Sequence, residues 1–357
     1  MASRKKVLIV QTAFIGDVIL ATPLAEAAHQ VFPDCSVDFM AIPAAANLLE
    51  KNNFIRRVLI FDKRGAQRGL VALWKLAQAL RREQYDLALV PHRSLRSALL
   101  VWLARIPERL GFNRSAGACL FTQRVPYQQK HEVERNLDLL RVFRDHLATP
   151  SPKVFWGKND EQIVEQIINS NQKAKWFCAL APGSVWATKR WPEERFIALA
   201  GKLIAETGAF IYLIGGGSDV ALCSHIAAAI GKNCVNTAGR LSLRQSAALL
   251  DRCQILISND SAPTHLGVAT RCKVIAIFGP TVPAFGFAPF GEGHVVVEKN
   301  LSCRPCSSHG DNRCPLGTHA CMWEIAAEEV FSSVLEFKNI AVLGIQNKTS
   351  EMRNETT

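Results

Sequence analysis

Short apolar runs alternate with segments of helical period along nearly the whole chain, and the series runs twice. That alternation is the strongest constraint on what the chain can fold into. Lys6–Val10, Ser36–Ala41, Arg57–Phe61 and Asp86–Pro91 read as strands, separated by helices over Asp17–Val31, Ala44–Lys51, Gly69–Arg82 and Leu95–Ala104. Shorter strands near Arg109–Phe112 and Phe121–Val125 and a helix over His131–His146 close the first series. The Pro-containing stretch Ala148–Lys158 lacks a period and reads as a linker. The second series follows a helix over Asp160–Asn171, with Asp160 as its cap. It has strands at Phe177–Ala181, Phe210–Ile214, Cys234–Asn236, Ile255–Ser258 and Lys273–Phe278. Its helices are Pro192–Thr207, Asp219–Ile230, Ser242–Asp251 and Pro263–Ala269. The pattern predicts an α/β protein of two Rossmann-like domains with parallel sheets, over residues 1–150 and 151–340. A last helix, Ile325–Phe337, is expected to cross back to the first domain, and residues 341–357 read as a disordered polar tail.

Charge separates the two halves. Residues 1–150 hold 22 Lys and Arg against 13 Asp and Glu, whereas residues 151–357 hold 20 against 18. A basic half fits an acidic partner or a solubility charge, and charge alone leaves both open. No run of about 18 apolar residues could span a membrane. The start of the chain resembles a signal peptide, but Asp17 interrupts its apolar run and the helical period continues, so it reads as part of a mature cytoplasmic protein. Seven of the eleven cysteines scatter through core-like segments, as in a reducing compartment.

The candidate sites are loops that leave strands and enter helices, where α/β folds build their sites. Gln11–Pro23 (QTAFIGDVILATP) puts Gly16 and a single carboxylate, Asp17, at a helix start. Asp17 reads as a general base or as a helix cap. Pro182–Pro192 (PGSVWATKRWP) offers Ser184, Thr188 and Lys189 as a phosphate clamp, with Pro192 as the first helical residue. Gly215, Gly216 and Gly217 suit a tight turn or a ligand loop. They fail the dinucleotide spacing, because Val220 stands where a glycine is needed. Ser258–His265 (SNDSAPTH) reads as a diphosphate turn with Asp260, Ser261 and Ala262 at a helix start. Asp260 also suits a cap, and His265 one turn in suits a structural role. Lys63, Arg64, Arg93 and Arg96 follow strands of the first half and could hold anions. Cys303, Cys306, Cys314 and Cys321 cluster near His309 and His319. A structural metal, disulfides or free thiols all fit their spacing.

Gly16-Asp17, PGSVWATKRWPEERF, SNDSAPTHLGVA and KVIAIFGPT occur in that order across residues 5–335. Together they resemble the ADP-heptose:lipopolysaccharide heptosyltransferases, glycosyltransferase family 9. The Cys-rich segment and the ATKRWP loop resemble the heptosyltransferase II type. The resemblance implies a GT-B fold and an inverting transfer of L-glycero-D-manno-heptose from ADP-heptose to the inner core of lipopolysaccharide. It implies Asp17 as the base, the donor diphosphate on the second domain, and the phosphorylated lipid A–core acceptor on the basic first domain. No metal is required, no nucleic acid is bound, and the protein is expected at the cytoplasmic face of the inner membrane as a peripheral protein. Ser261-Ala262 stands where many relatives have Thr-Gly or Ser-Gly, which alters the backbone approach to phosphate at Ala262.

Three other readings remain open on the sequence. One is a family 9 transferase for another sugar or core position, and a second is a GT-B-type epimerase. The third is a non-catalytic basic nucleotide- or RNA-binding module, against which stand the absence of RNA-binding motifs and an aromatic content of 8%.

Overall fold

The structure, a computed structural model, describes residues 4–169 and 176–337. Its first half runs β1 (Lys6–Val10), α1 (Ile15–Ala21), α2 (Pro23–Val31), β2 (Ser36–Ala41), α3 (Pro43–Leu49), β3 (Arg57–Ile60), α4 (Leu70–Arg82), β4 (Leu87–Val90), α5 (Leu95–Leu103), β5 (Glu108–Phe112), β6 (Gln123–Val125) and α6 (Glu132–Arg141). Its second half runs α7 (Lys158–Asn169), β7 (Phe177–Ala181), α8 (Glu193–Thr207), β8 (Phe210–Leu213), α9 (Val220–Ile230), β9 (Cys234–Asn236), α10 (Leu243–Arg252), β10 (Ile255–Asn259), α11 (Ala262–Val268), β11 (Lys273–Phe278), β12 (Val295–Glu298) and α12 (Ala320–Trp323). Residues 327–337 form a last helix, α13.

Each half builds one six-stranded sheet, ordered β3-β2-β1-β4-β5-β6 and β12-β11-β10-β7-β8-β9, and every pairing is parallel. The strands β2, β4, β8 and β10 are buried along their whole length, and β4 (LALV) and β8 (FIYL) accordingly read as continuous apolar runs rather than alternating ones. In both sheets the strand order reverses between the first and fourth strands, at β1/β4 and at β7/β10. The crevice beyond the carboxyl ends of those strands is where such folds bind ligands.

The two halves share one continuous apolar core. Leu24, Val133 and Leu137 of the first half join Leu249, Leu266 and Phe278 of the second in a single cluster. Polar contacts reinforce the seam. The Arg244 guanidinium in α10 meets Glu50 at 2.7 Å and Asp160 at 3.1 Å, and its backbone N–H donates to the Asn47 side chain at 3.1 Å.

The elements depart from the sequence reading at four points. The helix expected over Asp17–Val31 is two helices, because Pro23 has no N–H to continue the ladder; the Thr22 hydroxyl donates to the Ile19 carbonyl at the break. Pro192 precedes α8 as its cap residue instead of starting it. β12 was missed: Val295–Glu298 is a half-exposed edge strand, too short to stand out as an apolar run. The last helix does not return to the first half. Ile325, Ala327, Val330, Phe331 and Val334 pack with Trp191, Phe196 and Leu199 on the outer face of the second sheet. The expected tail over 341–357 lies outside the described residues.

Candidate functional site

The wall of the cleft in the first half is built at its strand-order reversal. Asp17 is the third residue of α1 and accepts a 3.2 Å hydrogen bond from the Phe14 N–H, the geometry of a helix cap. Burial pushes its carboxyl above the ordinary range. The N–H groups of Phe14 and Asp17 and the charges of Arg93 and Lys189 oppose that rise. A carboxylate raised this way is a better proton acceptor near neutral pH than one stabilised only by a helix end. Beyond β4, His92 Nδ1 lies 3.0 Å from both Thr12 Oγ1 and Ser97 Oγ; burial, Lys63 and Arg93 lower its pKa to about 3 and leave it neutral. Beyond β3, Lys63 is pushed down to about 8 by burial and by Arg64 and Arg96. Arg96 donates to the Gln67 carbonyl at 2.5 Å and stacks on Phe61. Lys63, Arg64 and Arg93, on loops, and Arg96, in the first turn of α5, thus sit at one sheet edge.

The opposing wall is built at the reversal of the second sheet. Lys189, on the loop after β7, meets Asp260, after β10, at 2.6 Å, and both are nearly buried. The Thr281 hydroxyl donates to the same carboxylate oxygen, Asp260 Oδ2, at 2.6 Å. Asn259 ties the two loops together: its Nδ2 donates to the Pro182 carbonyl at 2.8 Å and its Oδ1 accepts from the Trp191 N–H at 3.0 Å. Ser261 caps α11 without a side-chain cap bond, and its hydroxyl donates to the Asn259 carbonyl at 3.2 Å. Ser184 is buried, and its carbonyl accepts from Arg190 at 2.9 Å. The Thr188 hydroxyl is already engaged, donating to the Asp311 carbonyl and accepting from the Asp311 N–H, both at 2.8 Å. It braces the loop against the Cys-rich segment and has no proton left for a phosphate.

The glycine turn Gly215–Gly217 follows β8, one strand away from the reversal. Its role in the turn is steric. The Asp219 carboxylate accepts from the Gly216 N–H at 2.8 Å and fills the space where a Cβ on Gly183 or Gly215 would stand.

The two walls touch through Gly16. A Cβ there would lie 2.9 Å from His265 Cδ2 and 3.7 Å from Ala262 Cα, so α1 and α11 meet with no room for a side chain. His265 is buried beneath this contact, its Nδ1 has no partner among the described residues, and burial lowers its pKa to about 4.

A charged cluster beside Asp17 escaped the sequence reading. Glu132 and Arg135, one turn apart at the start of α6, form a buried ion pair at 2.5 Å. Burial, partly offset by Arg135, and the neighbouring Asp17 push Glu132 up to about 7. The Arg93 and Arg135 guanidinium groups each lie 4.4 Å from the centre of the Tyr127 ring. The signal was the polar HEVER segment in a stretch read only as helical; nothing in its spacing tells which side chains are buried.

The clustered cysteines are free thiols, and among the described residues no three His, Cys, Asp or Glu side chains are placed to hold a metal ion. Cys314 is lowered by backbone N–H groups, that of His319 foremost. Their segment buttresses the Lys189 loop: beyond the Asp311 bonds, His319 Nε2 lies 2.7 Å from the Thr188 carbonyl, and Trp186 packs on His309. Of the seven scattered cysteines, Cys119 is exposed and Cys234 is only partly buried, so the core reading fails for these two, which sit on short peripheral elements.

Two Rossmann-like domains, with a carboxylate at the reversal of one sheet and a lysine at the reversal of the other, define a nucleotide-sugar transferase of the GT-B architecture. Residues 73–316 match the family model described as Glycosyltransferase family 9 (heptosyltransferase), and the chain belongs to that family and is a glycosyltransferase. It is 27% identical over 297 residues to lipopolysaccharide heptosyltransferase 2 of Escherichia coli K12, covering 78% of this chain and 84% of that protein. The family 9 glycosyl transferase of Veillonella parvula superposes with a TM-score of 0.81 at 20% identity, covering 94% of this chain and 98% of that one. The E. coli ADP-heptose LPS heptosyltransferase II superposes with a TM-score of 0.77 at 22% identity, covering 93% and 98%.

Proposed function

We propose that this chain transfers a heptose from ADP-heptose to the inner core of lipopolysaccharide, with inversion at the anomeric carbon. The observation that carries the reading is the placement of Asp17 at one strand-order reversal within the electrostatic reach of Lys189 at the other. An acceptor hydroxyl oxygen attacks the anomeric carbon, its proton passes to the Asp17 carboxylate, and the carbon–oxygen bond to the diphosphate breaks on the opposite face. ADP leaves with the bonding pair. Lys189 and the Ser261–Ala262 backbone at the start of α11 meet the charge that develops on the leaving diphosphate, so the reading needs no metal. Asp260 holds Lys189 in place at 2.6 Å until the diphosphate arrives. Lys63, Arg64, Arg93 and Arg96 face the acceptor and suit its carboxylates and phosphates. The acceptor is borne on lipid, which places the enzyme at the cytoplasmic face of the inner membrane as a peripheral protein. No helix among the described residues is long and apolar enough to cross it.

Asp17→Asn separates the base from the cap. An asparagine oxygen still accepts the Phe14 N–H, so the helix start survives while the proton acceptor is lost. Turnover of ADP-heptose on a truncated core acceptor is expected to fall by about 10²–10⁴, the usual worth of a general base, with ADP-heptose affinity nearly unchanged. Turnover within a few-fold of the wild type removes Asp17 from the role. Full activity with another ADP-sugar and none with ADP-heptose overturns the choice of donor.

A further inference from the structure

The N-terminal turns of α4 carry an apolar ridge that no described residue covers. Leu70 is 78% exposed, Val71 69% and Trp74 54%, and Leu95 at the start of the adjacent α5 is 52% exposed. The ridge is not surplus core. α4 buries Leu73, Ala77 and Leu80 against the sheet, at helical spacing, so its inward stripe is complete without these residues. Both helices start at the carboxyl edge of the sheet, the edge that carries Lys63, His92 and the Asp17 loop.

The charge on these segments is almost all of one sign. Residues 61–82 and 91–106 contain nine Lys and Arg against a single acid, Asp62, whose carboxylate accepts from the Gly65 and Ala66 N–H groups at 2.8 and 3.0 Å. None of the nine forms a salt bridge with a described residue; the nearby acid Glu83 is taken by Arg56 and Arg57. Arg64, Arg68, Lys75, Arg81 and Arg82 are exposed. Exposed Leu, Val and Trp set among unpaired Lys and Arg have the chemistry of a surface anchor. The apolar groups enter the boundary between headgroups and acyl chains, and the cations meet anionic headgroups. A second copy of this chain would bring nine cations against nine. A nucleic acid would be drawn to the charge but would leave Leu70 and Val71 in water.

We propose that the start of α4, with the β3–α4 and β4–α5 loops, is a docking surface for an anionic lipid bilayer. Docking there turns the acceptor side of the cleft toward the membrane. A lipid-borne saccharide then passes Lys63 and Arg64 on its way to Asp17 without its acyl chains leaving the bilayer. This rests on the reading that the acceptor is carried on lipid.

The test is flotation of the full chain with vesicles of phosphatidylglycerol and phosphatidylcholine, and with phosphatidylcholine alone, for the wild type and Leu70→Glu/Trp74→Glu. Both side chains are exposed and lie outside the catalytic machinery, so the variant is expected to melt as the wild type does and to glycosylate a deacylated, water-soluble acceptor at the wild-type rate. The wild type is expected to float with the anionic vesicles, less so as salt shortens the screening length below about 8 Å. The variant is expected to partition at least about tenfold more weakly. Equal flotation of variant and wild type overturns the proposal. So does a wild type that ignores anionic vesicles but self-associates or holds RNA through this ridge. Vesicle binding lost in the variant, in a protein that fails to transfer heptose to the soluble acceptor, leaves the surface standing and removes the substrate reading alone.

Discussion

Replacing Gly16 with alanine probes the contact on which the site depends. Gly16 is the second residue of α1 and carries no positive φ, so nothing in its backbone demands glycine. In an exposed helix the exchange stabilises by about 0.5–1 kcal/mol, because alanine loses less backbone freedom. Here the new Cβ would stand 2.9 Å from His265 Cδ2, on a buried side chain of α11. Relief to ordinary contact needs a shift of about half an ångström, and overpacking of this kind costs about 1–3 kcal/mol. The opposed terms leave a net loss on the order of 1 kcal/mol. The shift opens the distance between Asp17 and the Lys189–Asp260 pair. If a misplacement of about 1 Å costs about a hundredfold in rate, half of that costs about tenfold. Urea unfolding and kcat with ADP-heptose measure the two effects on Gly16→Ala, His265→Ala and the double variant. The double variant should recover rate and stability relative to the sum of the singles, because the small side chain at 265 removes the clash. A Gly16→Ala protein that is more stable than the wild type, with unchanged kcat, would falsify the claim that this glycine exists for the approach of the two domains.

Two further outcomes follow from the second wall. Lys189→Ala leaves the nearly buried Asp260 without its cation. Unfolding free energy should therefore drop by about 3 kcal/mol, and ADP affinity should drop with it. Lys189→Ala/Asp260→Asn should restore the stability but not the ADP affinity; calorimetric titration that finds wild-type ADP binding in the double variant removes Lys189 from the donor site. His265 is held neutral, its pKa at about 4 against an unfolded value near 6.5, so the unfolded chain takes up the proton first. The stability this contributes is complete above pH 6.5 and is lost as pH falls toward 4. His265→Asn should therefore flatten the dependence of the melting temperature on pH across that window, and parallel profiles for variant and wild type would refute the assignment.

Lys63, Arg64, Arg93 and Arg96, on the segments around α4 and α5, sit at the sheet edge that carries the Asp17 loop. Of the other cations on these segments, Arg68 and Lys75 lie at or beside the proposed docking surface, whereas Arg81, Arg82 and Arg105 lie at the far ends of α4 and α5, at the opposite sheet edge, and add to the basic charge of this half without touching that surface.

The sequence determined the two α/β series, the parallel sheets and the loops that carry chemistry. These follow from local rules: continuous apolar runs for strands buried on both faces, a period near 3.6 for the helices that cover them, and Gly, Pro and Asp at the turns. The loops that hold Asp17, Lys189 and Asp260 were legible because a strand-to-helix loop is recognisable from its own residues. Only the tertiary structure decided how these loops use one another. Thr188 looked like a phosphate ligand until Asp311, more than a hundred residues away, took both sides of its hydroxyl. Glu132 and Arg135 looked like ordinary helix-surface charges until burial beside Asp17 raised the carboxyl. The last helix has the period of any amphipathic segment, and the half it covers depends on which apolar face is left open. Gly16 is one glycine among 22, and its reason lies in His265, on the other domain. Periodicity reports each element's own faces; pairs distant in sequence are set by packing, and it was packing that brought a buried carboxylate and a lysine to opposite sides of one cleft.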